Sequence, residues 1–312
     1  MPGGWRRRAA VGPLVASLAV SLLAGCSASL AGAIGSNGTI VAVGAENEYA
    51  DVIQQVGGKY VRASAVMSNP GTDPHTFEAS AATGRLVNAS QLVVQNGFGY
   101  DTFMDTIEKA VPDSGRHVIV VQKLLGLPDS TPNPHLWYKP GVMAAVAQAI
   151  AKNLAAIDPA HTSYFQANAK TFTRSLDAWT SVMAAFKASY PGIPVATTEP
   201  VADYLLQASG ADNRTPWAFQ AGIMNGTDPS AQGVAAERGL FTKHLVKVFV
   251  YNQQVTDSLT ESFIALAKAN GIPVVGVYET MPEPGYHYQS WMLAEVRALR
   301  AAVTDHVSSE HL

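Results

Sequence analysis

The sequence contains a single cysteine, Cys26, among 312 residues. One cysteine excludes a disulfide within the chain and a metal site built from several thiolates. Charged residues are also scarce, at 14% of the chain, and the formal net charge is -3. No basic run follows the first eight residues, so the clustered lysines and arginines that bind phosphates are missing. We therefore expect no nucleic-acid partner.

Two short motifs of hydrolases are absent as well. A zinc protease would carry HExxH and an α/β-hydrolase would carry GxSxG, and neither pattern occurs in the chain. We therefore expect a protein that is not an enzyme. Hydrophobic residues make up 47% of the sequence, which is enough for one large or two medium domains with cores of their own.

The N-terminus has the pattern of a secretory signal. Three arginines precede an apolar run that ends in small residues; the run is shorter than the roughly 20 residues of a membrane-spanning helix, and Pro13 interrupts it. The sequence Leu23–Cys26 resembles the bacterial lipobox, which implies cleavage before Cys26 and a lipid on its thiol. We predict a signal peptide over residues 1–25 and a tether over 26–38, hence an extracytoplasmic protein anchored to the bacterial cell membrane.

The rest of the chain alternates short apolar runs with amphipathic segments. Runs such as TIVAVGA, QLVVQNG and IPVVGVYE read as strands, and the segments between them have helical spacing. This alternation predicts an α/β fold with mostly parallel sheets flanked by helices. The segment 211–243 shows no clear pattern.

One long segment interrupts the alternation. Residues 161–190 contain no glycine or proline before the sequence YPGIP, and their large apolar side chains recur at spacings of three, four and seven. This spacing predicts one amphipathic helix of about 30 residues, roughly 45 Å long. We therefore predict an N-terminal lobe over 39–160 and a C-terminal lobe over 191–312, joined by this single linking helix.

Four polar residues follow predicted strands, where open α/β sheets bind their ligands. His75 lies in SNPGTDPHTFEAS and His135 in TPNPHLWYKP, each directly after a proline that stiffens the loop. Glu199 ends the run PVATTE, and Glu279 ends IPVVGVYE. Any one of them alone would be an ordinary surface side chain, and other loop-edge carboxylates such as Glu46 and Glu48 are read in that way.

Together, the four residues form a plausible set of metal ligands. Two neutral imidazoles and two carboxylates balance the charge of a divalent cation, whereas two carboxylates converging without a cation would repel each other. Nitrogen and oxygen donors without sulfur suit Mn²⁺, Zn²⁺ or Fe²⁺ and argue against Cu(I).

The motifs NPGTDPHTFEAS, NPHLWYKPGVMAAVAQAIAKNLAAIDP, TEPVADYLLQASG and IPVVGVYET occur in an order that resembles a known family. These are the solute-binding lipoproteins of zinc and manganese ABC transporters. The resemblance implies that His75, His135, Glu199 and Glu279 are, in this order, the four metal ligands. It also implies two lobes joined by one long helix, an ABC permease as partner, and one metal ion as transported ligand. We expect a monomer.

The sequence departs from this family at three places. A short GLPDSTPNP stands where many zinc-binding members carry a loop rich in histidine and acidic residues. Glu199 resembles the manganese branch, and Glu279 stands where aspartate is more usual. The choice between Mn²⁺ and Zn²⁺ therefore stays open.

Two other functions remain open at this point. Trp137, Tyr138 and Tyr278 near the strand ends fit a binder of a siderophore or corrinoid with the same two-lobed plan. A surface adhesin stapled by a metal ion is the other alternative. The sequence does not decide whether the segment PEPGYHYQSW, with Glu283 and His287, forms a lid or supplies a further ligand, and a flexible surface loop explains His287 as well as coordination does.

Overall fold

The structure is a computed structural model that describes residues 38–69, 72, 77–282 and 285–312. The predicted signal peptide, Cys26 with the tether up to residue 37, His75 and Glu283 lie outside the described residues.

The N-terminal half contains a four-stranded parallel sheet within the described residues. Its strands are β1 (Ile40–Glu46), β2 (Val61–Met67), β3 (Leu92–Gln95) and β4 (His117–Val120). The strand order is β2-β1-β3-β4, with Ala42 of β1 paired to Ala63 and Leu92 on its two sides. The helices of this half are α1 (Asn47–Gly57), α2 (Ala81–Asn88), α3 (Thr102–Ala110), α4 (Val121–Leu124) and α5 (Val142–Ile157).

The C-terminal half repeats this plan in the part that the structure describes. Its strands are β5 (Pro194–Thr197), β6 (Asp212–Asn213), β7 (Val248–Asn252) and β8 (Val274–Val277), in the order β6-β5-β7-β8. All pairs are parallel. Its helices are α8 (Asp203–Ala208), α9 (Trp217–Met224), α10 (Ala231–Thr242), α11 (Ser258–Ala269) and α12 (Tyr288–Asp305).

These elements form where local chemistry favours them. Strands β3, β7 and β8 are buried along their whole length, because helices cover both faces of a parallel sheet, and their sequences are correspondingly almost continuous apolar runs. Side-chain oxygens of Ser80, Ser230 and Asp257 accept backbone N–H bonds at the starts of α2, α10 and α11. The prediction of an α/β fold with two parallel sheets flanked by helices is confirmed.

The segment predicted as one linking helix is divided in two. Helix α6 spans Thr162–Ser175 and helix α7 spans Asp177–Ser189, with Leu176 between them. The Ser175 hydroxyl donates to the Phe172 carbonyl at 2.6 Å, which is the carbonyl that the Leu176 N–H would use in an α-helix. That N–H instead lies 3.3 Å from the Thr173 carbonyl. The local i−3 bond tightens the turn, so the prediction of one uninterrupted helix over 161–190 is not confirmed.

Helices α6 and α7 pack against both halves of the fold. Helix α6 contacts α1 and α5, and α7 contacts α12. Tyr288 at the start of α12 lies with its ring 6.1 Å from that of Phe172 and 6.2 Å from that of Trp179. All three side chains belong to one hydrophobic core. Burial of such large rings ties the connecting segment to the C-terminal half.

The segment 211–243, which had no clear pattern, contains β6, α9 and α10. Strand β6 is two residues long, and α9 (WAFQAGIM) is apolar on nearly all sides, so neither shows a readable period. Across the described residues, no helix has both the length and the apolar character to cross a membrane.

Glu237 of α10 is a fully buried acid in the C-terminal half. Burial raises its pKa from the ordinary 4.5 to about 8, and the Thr215 hydroxyl, which donates to its Oε1 at 3.1 Å, opposes part of this shift. Because the pKa of Glu237 is higher in the folded than in the unfolded state, its contribution to stability is fully present below about pH 4.5. That contribution is lost as the pH rises toward 8.

We predict that Glu237→Gln raises the free energy of unfolding at about pH 7.5 by on the order of 2 kcal/mol, because the amide is neutral at every pH. Near pH 5 the gain should be small. Denaturant unfolding of metal-free protein at both pH values measures this, with the exposed Glu261→Gln as control. An equal effect of Glu237→Gln at both pH values would contradict the prediction.

Candidate metal centre

Three of the four predicted ligands lie among the described residues, and all three are buried. His135 and Glu279 have no exposed surface, and Glu199 is 3% exposed. Glu199 follows the end of β5 and Glu279 follows the end of β8, so both stand at the carboxyl edge of the second sheet. His75 lies outside the described residues.

Pairwise contacts connect these side chains although they come from different halves of the fold. His135 Nε2 of the N-terminal half lies 3.5 Å from Glu279 Oε2 of the C-terminal half. Asn252, the last residue of β7, donates through Nδ2 to Glu279 Oε1 at 2.6 Å and to Glu199 Oε1 at 3.2 Å. One amide group thus links the two carboxylates, and of these the Glu279 carboxylate lies beside the imidazole.

Asn133 determines how the His135 ring is presented. Asn133 Nδ2 donates to the Pro200 carbonyl at 2.8 Å, so the orientation of its amide is known. Its Oδ1 accepts the His135 backbone N–H at 3.0 Å and lies 2.7 Å from His135 Nδ1. Because an amide oxygen can only accept, the ring proton of neutral His135 is on Nδ1, and the lone pair is on Nε2.

This tautomer directs a lone pair at a carboxylate. Nε2 has no hydrogen-bond partner among the described residues, and the nearest carboxylate oxygen is 3.5 Å away. Two acceptors that face each other in a buried site repel unless a proton or a cation lies between them. The arrangement therefore suits a cation held between His135 and Glu279.

Glu279 has further contacts at its carboxylate and at its backbone. The Tyr100 hydroxyl donates to Oε2 at 2.8 Å, and the Glu279 backbone N–H donates to Gln254 Oε1 at 2.5 Å. Burial raises the pKa of Tyr100 well above its usual 10, and the charge of Glu279 raises it further, so the phenol keeps its proton. The Tyr100 contact orients the carboxylate, and the Gln254 contact holds the Glu279 backbone.

A group of buried acids lies beside the site and was read from the sequence as ordinary. Glu46 and Glu48 have no exposed surface, and their carboxylate oxygens have no hydrogen-bond partner among the described residues. Burial raises the pKa of both well above 4.5, and the charges of Asp101 and Glu279 add to this. The backbone N–H groups of Glu48 and Met281 oppose part of the rise in the pKa of Glu48, although neither forms a hydrogen bond to its carboxylate.

Asp101 belongs to the same group. Burial raises its pKa to about 6, although the backbone N–H groups of Asn96 and Gly97 donate to it at 2.5 and 3.0 Å. Burial thus disfavours the charged forms of all three acids, and a nearby cation would favour their ionised forms.

The described residues alone contain no group of three His, Cys, Asp or Glu side chains that could hold a metal ion. The predicted set of four includes His75, so the complete set stays a prediction. His287, whose role the sequence left open, contacts Asp51 through Nδ1 at 2.7 Å.

Sequence reasoning missed the residues that orient the ligands. Asn133, Asn252 and Tyr100 were not considered, because the search was limited to histidines and carboxylates. The strand-end rule that selected Glu199 and Glu279 also applies to Asn252, which ends β7, and to Tyr100, which follows β3. Amides and phenols at these positions were the available signal.

We predict that Asn252→Ala weakens metal binding about ten- to a hundredfold, because the two carboxylates lose the amide that holds them together. Calorimetric titration of metal-stripped protein measures the affinity. Asn270→Ala, which removes an amide that donates to the Leu266 carbonyl within the same half, is the control. Unchanged affinity in Asn252→Ala would contradict this role.

Curated relatives have low sequence identity to the chain. It is 24% identical over 133 residues to the zinc-binding protein TroA of Treponema pallidum, and 25% identical over 185 residues to another protein of that organism. These matches span 43% and 58% of those relatives. It is 23% identical over 221 residues, 65% of this chain and 70% of the relative, to the manganese ABC transporter substrate-binding lipoprotein PsaA of Streptococcus anginosus.

Solved structures share the fold. A manganese-bound periplasmic metal-binding protein from Candidatus Liberibacter asiaticus superposes with a TM-score of 0.70 at 16% identity, over 85% of this chain and 100% of the other. A crystal structure named ZnuA gives a TM-score of 0.69 at 18% identity with the same coverage. The family model described as "Zinc-uptake complex component A periplasmic" matches residues 43–302. The chain belongs to this ZnuA family.

Proposed function

We propose that the protein captures one divalent transition-metal ion outside the cytoplasm and delivers it to an ABC permease. The observation that carries the proposal is the lone pair of His135 Nε2, directed at the Glu279 carboxylate 3.5 Å away in a buried site. A cation between the two acceptors would remove their repulsion. Family membership supports the same function.

The proposed ligands are His75 and His135 from the N-terminal half and Glu199 and Glu279 from the C-terminal half. Since the ligands come in pairs from the two halves, separating the halves would pull the pairs apart and release the ion. Capture and release of the ion need no covalent bond to form or break, so the protein binds and transfers the ion without catalysis.

Mn²⁺ and Zn²⁺ are the proposed cargo, and Fe²⁺ fits the same donors.

We predict that metal-stripped protein binds one ion of Mn²⁺ or Zn²⁺ per chain. His75→Ala, His135→Ala, Glu199→Ala and Glu279→Ala should each weaken binding by about a hundredfold or more, since each removes a donor from a set of four. Calorimetric titration with Mn²⁺, Zn²⁺ and Fe²⁺ measures stoichiometry and affinity. The exposed His311→Ala is the control for loss of an imidazole.

The outcomes separate the alternatives. If the protein binds none of the three ions stoichiometrically, the proposal is overturned and a larger ligand is favoured. Tight binding that purified permease cannot reverse would favour a structural metal. A higher affinity for Zn²⁺ than for Mn²⁺ is expected for most donor sets, so the cargo is identified by the metal content of protein isolated from cells.

The proposed location depends on Cys26 and its predicted lipid. We predict that Cys26→Ser moves the protein from the membrane fraction to the soluble extracytoplasmic fraction, because a lipid chain is needed for stable anchoring. Fractionation of cells followed by immunoblotting measures this. An unchanged membrane fraction would contradict lipidation at Cys26.

The protein is also proposed to be a monomer.

A further inference from the structure

Tyr138 connects the two halves of the fold close to the candidate metal centre. It ends the short 3₁₀ helix Leu136–Tyr138 that directly follows His135, and it is fully buried. Its hydroxyl donates to the Tyr278 carbonyl at 2.8 Å, and the Tyr278 N–H donates to the same hydroxyl at 3.2 Å. Tyr278 immediately precedes Glu279, so the contact joins the chain beside one proposed ligand to the chain beside another.

Glu295 of α12 is the third partner of the Tyr138 hydroxyl. Its Oε1 lies 3.1 Å from the Tyr138 oxygen and accepts the Trp291 Nε1–H at 2.9 Å. A hydroxyl has one proton to donate and two lone pairs to accept with. An ionised Glu295 would compete with the Tyr278 carbonyl for that proton, whereas a neutral Glu295 would not. Burial raises the pKa of Glu295 to about 8, which favours the neutral acid at pH 7.

The surroundings of Glu295 keep it dry. Leu205, Leu206, Val250, Val277 and Leu299 line the small cavity next to it. The titratable groups that face it are Tyr138 and Tyr278, and burial raises the pKa of both phenols. Among the described residues no charged partner contacts its carboxyl group, so the acid serves as an uncharged hydrogen-bonding group.

Glu279 is thus held on both sides along the chain. Tyr138 binds the backbone of the preceding residue, and Asn47 of α1 binds the backbone of Met281 in both directions, at 2.7 and 2.8 Å. Both contacts come from the N-terminal half. The backbone that carries Glu279 is therefore positioned by the half that carries His135.

We propose that the Tyr138 hydroxyl, oriented by Glu295, is a positioning group that sets the distance between His135 and Glu279 for metal binding. This inference rests on the proposed function. Ligand atoms must stay within a few tenths of an ångström of the ion, so small displacements of Glu279 weaken coordination. The ring of Tyr138 has a separate role, since it packs against Trp291 at 5.6 Å. Phenylalanine would keep that packing and remove the hydroxyl alone.

The test uses the full chain, purified in detergent, with Tyr138→Phe, Glu295→Gln and the control Tyr251→Phe. Tyr251 loses a hydroxyl that contacts the Glu310 carbonyl at 3.3 Å and accepts from Gln253 Nε2. We measure Mn²⁺ affinity by titration, ion release by competition with a chelator, and the melting temperature without metal.

Tyr138→Phe should weaken Mn²⁺ binding about tenfold, mainly through faster release, because one buried hydrogen-bonding group is lost. Its metal-free melting temperature should also fall, because the Tyr278 backbone groups lose a buried partner, so the affinity is the readout that decides. Glu295→Gln should keep the affinity within about threefold, because the amide is uncharged and similar in shape. Parent-like affinity in Tyr138→Phe, or a lower melting temperature with unchanged affinity, would overturn the inference.

A second measurement needs no variant. If Tyr138 couples to the metal centre, Mn²⁺ should in turn slow hydrogen exchange of the Tyr278 amide in the parent protein. Unchanged exchange in metal-loaded protein would overturn the inference. If the parent binds no metal at all, the proposed function itself fails, which is distinct from loss of the positioning role.

Discussion

The structure depends on one electrostatic constraint: a lone pair and a carboxylate that meet in a buried place. Asn133 holds the ring of His135 so that Nε2 is directed at Glu279, 3.5 Å away. Neither atom can donate to the other when the ring is neutral and the acid is ionised. Among the described residues, Asn133 orients the ring while Tyr100 and Asn252 donate to the carboxylate, and this arrangement suits a divalent cation.

The surrounding side chains hydrogen-bond to the proposed ligands or lie buried behind them. Asn252 links the two carboxylates of the C-terminal half, and Tyr100 adds a donor from the N-terminal half. Behind them, Glu46 and Glu48 are buried acids with raised pKa values. Burial disfavours their charged forms, and a cation nearby would favour ionisation.

The two sheets are connected by more than the chain between them. Helices α6 and α7 pack on both halves, and α1 reaches the segment after Glu279 through Asn47 and the first residue of α12 through Asp51. Such contacts favour small adjustments of the halves over a wide opening. A site whose ligands come from both halves is sensitive to adjustments of that size.

Much of the fold follows from local pattern. Seven of the eight described strands coincide with apolar runs, and the alternation with helices predicts parallel sheets because parallel strands need crossovers. The two-residue β6 and the nearly uniform apolar α9 could not be predicted, since neither has a period. The division at Leu176 was missed because it arises from the Ser175 hydroxyl bond and leaves the apolar spacing intact.

The sequence by itself determined the α/β class, the exclusion of a disulfide and of a multi-thiolate metal site within the chain, and three described ligand candidates at strand ends. These follow from composition and from the rule that strand termini meet at one edge. Tertiary structure alone decided that His135 and Glu279 face each other, that Asn133 sets the tautomer, and that Glu46 and Glu48 are buried. Those facts depend on distances between residues far apart in the chain, such as His135 and Glu279, and local propensity contains no information about such distances.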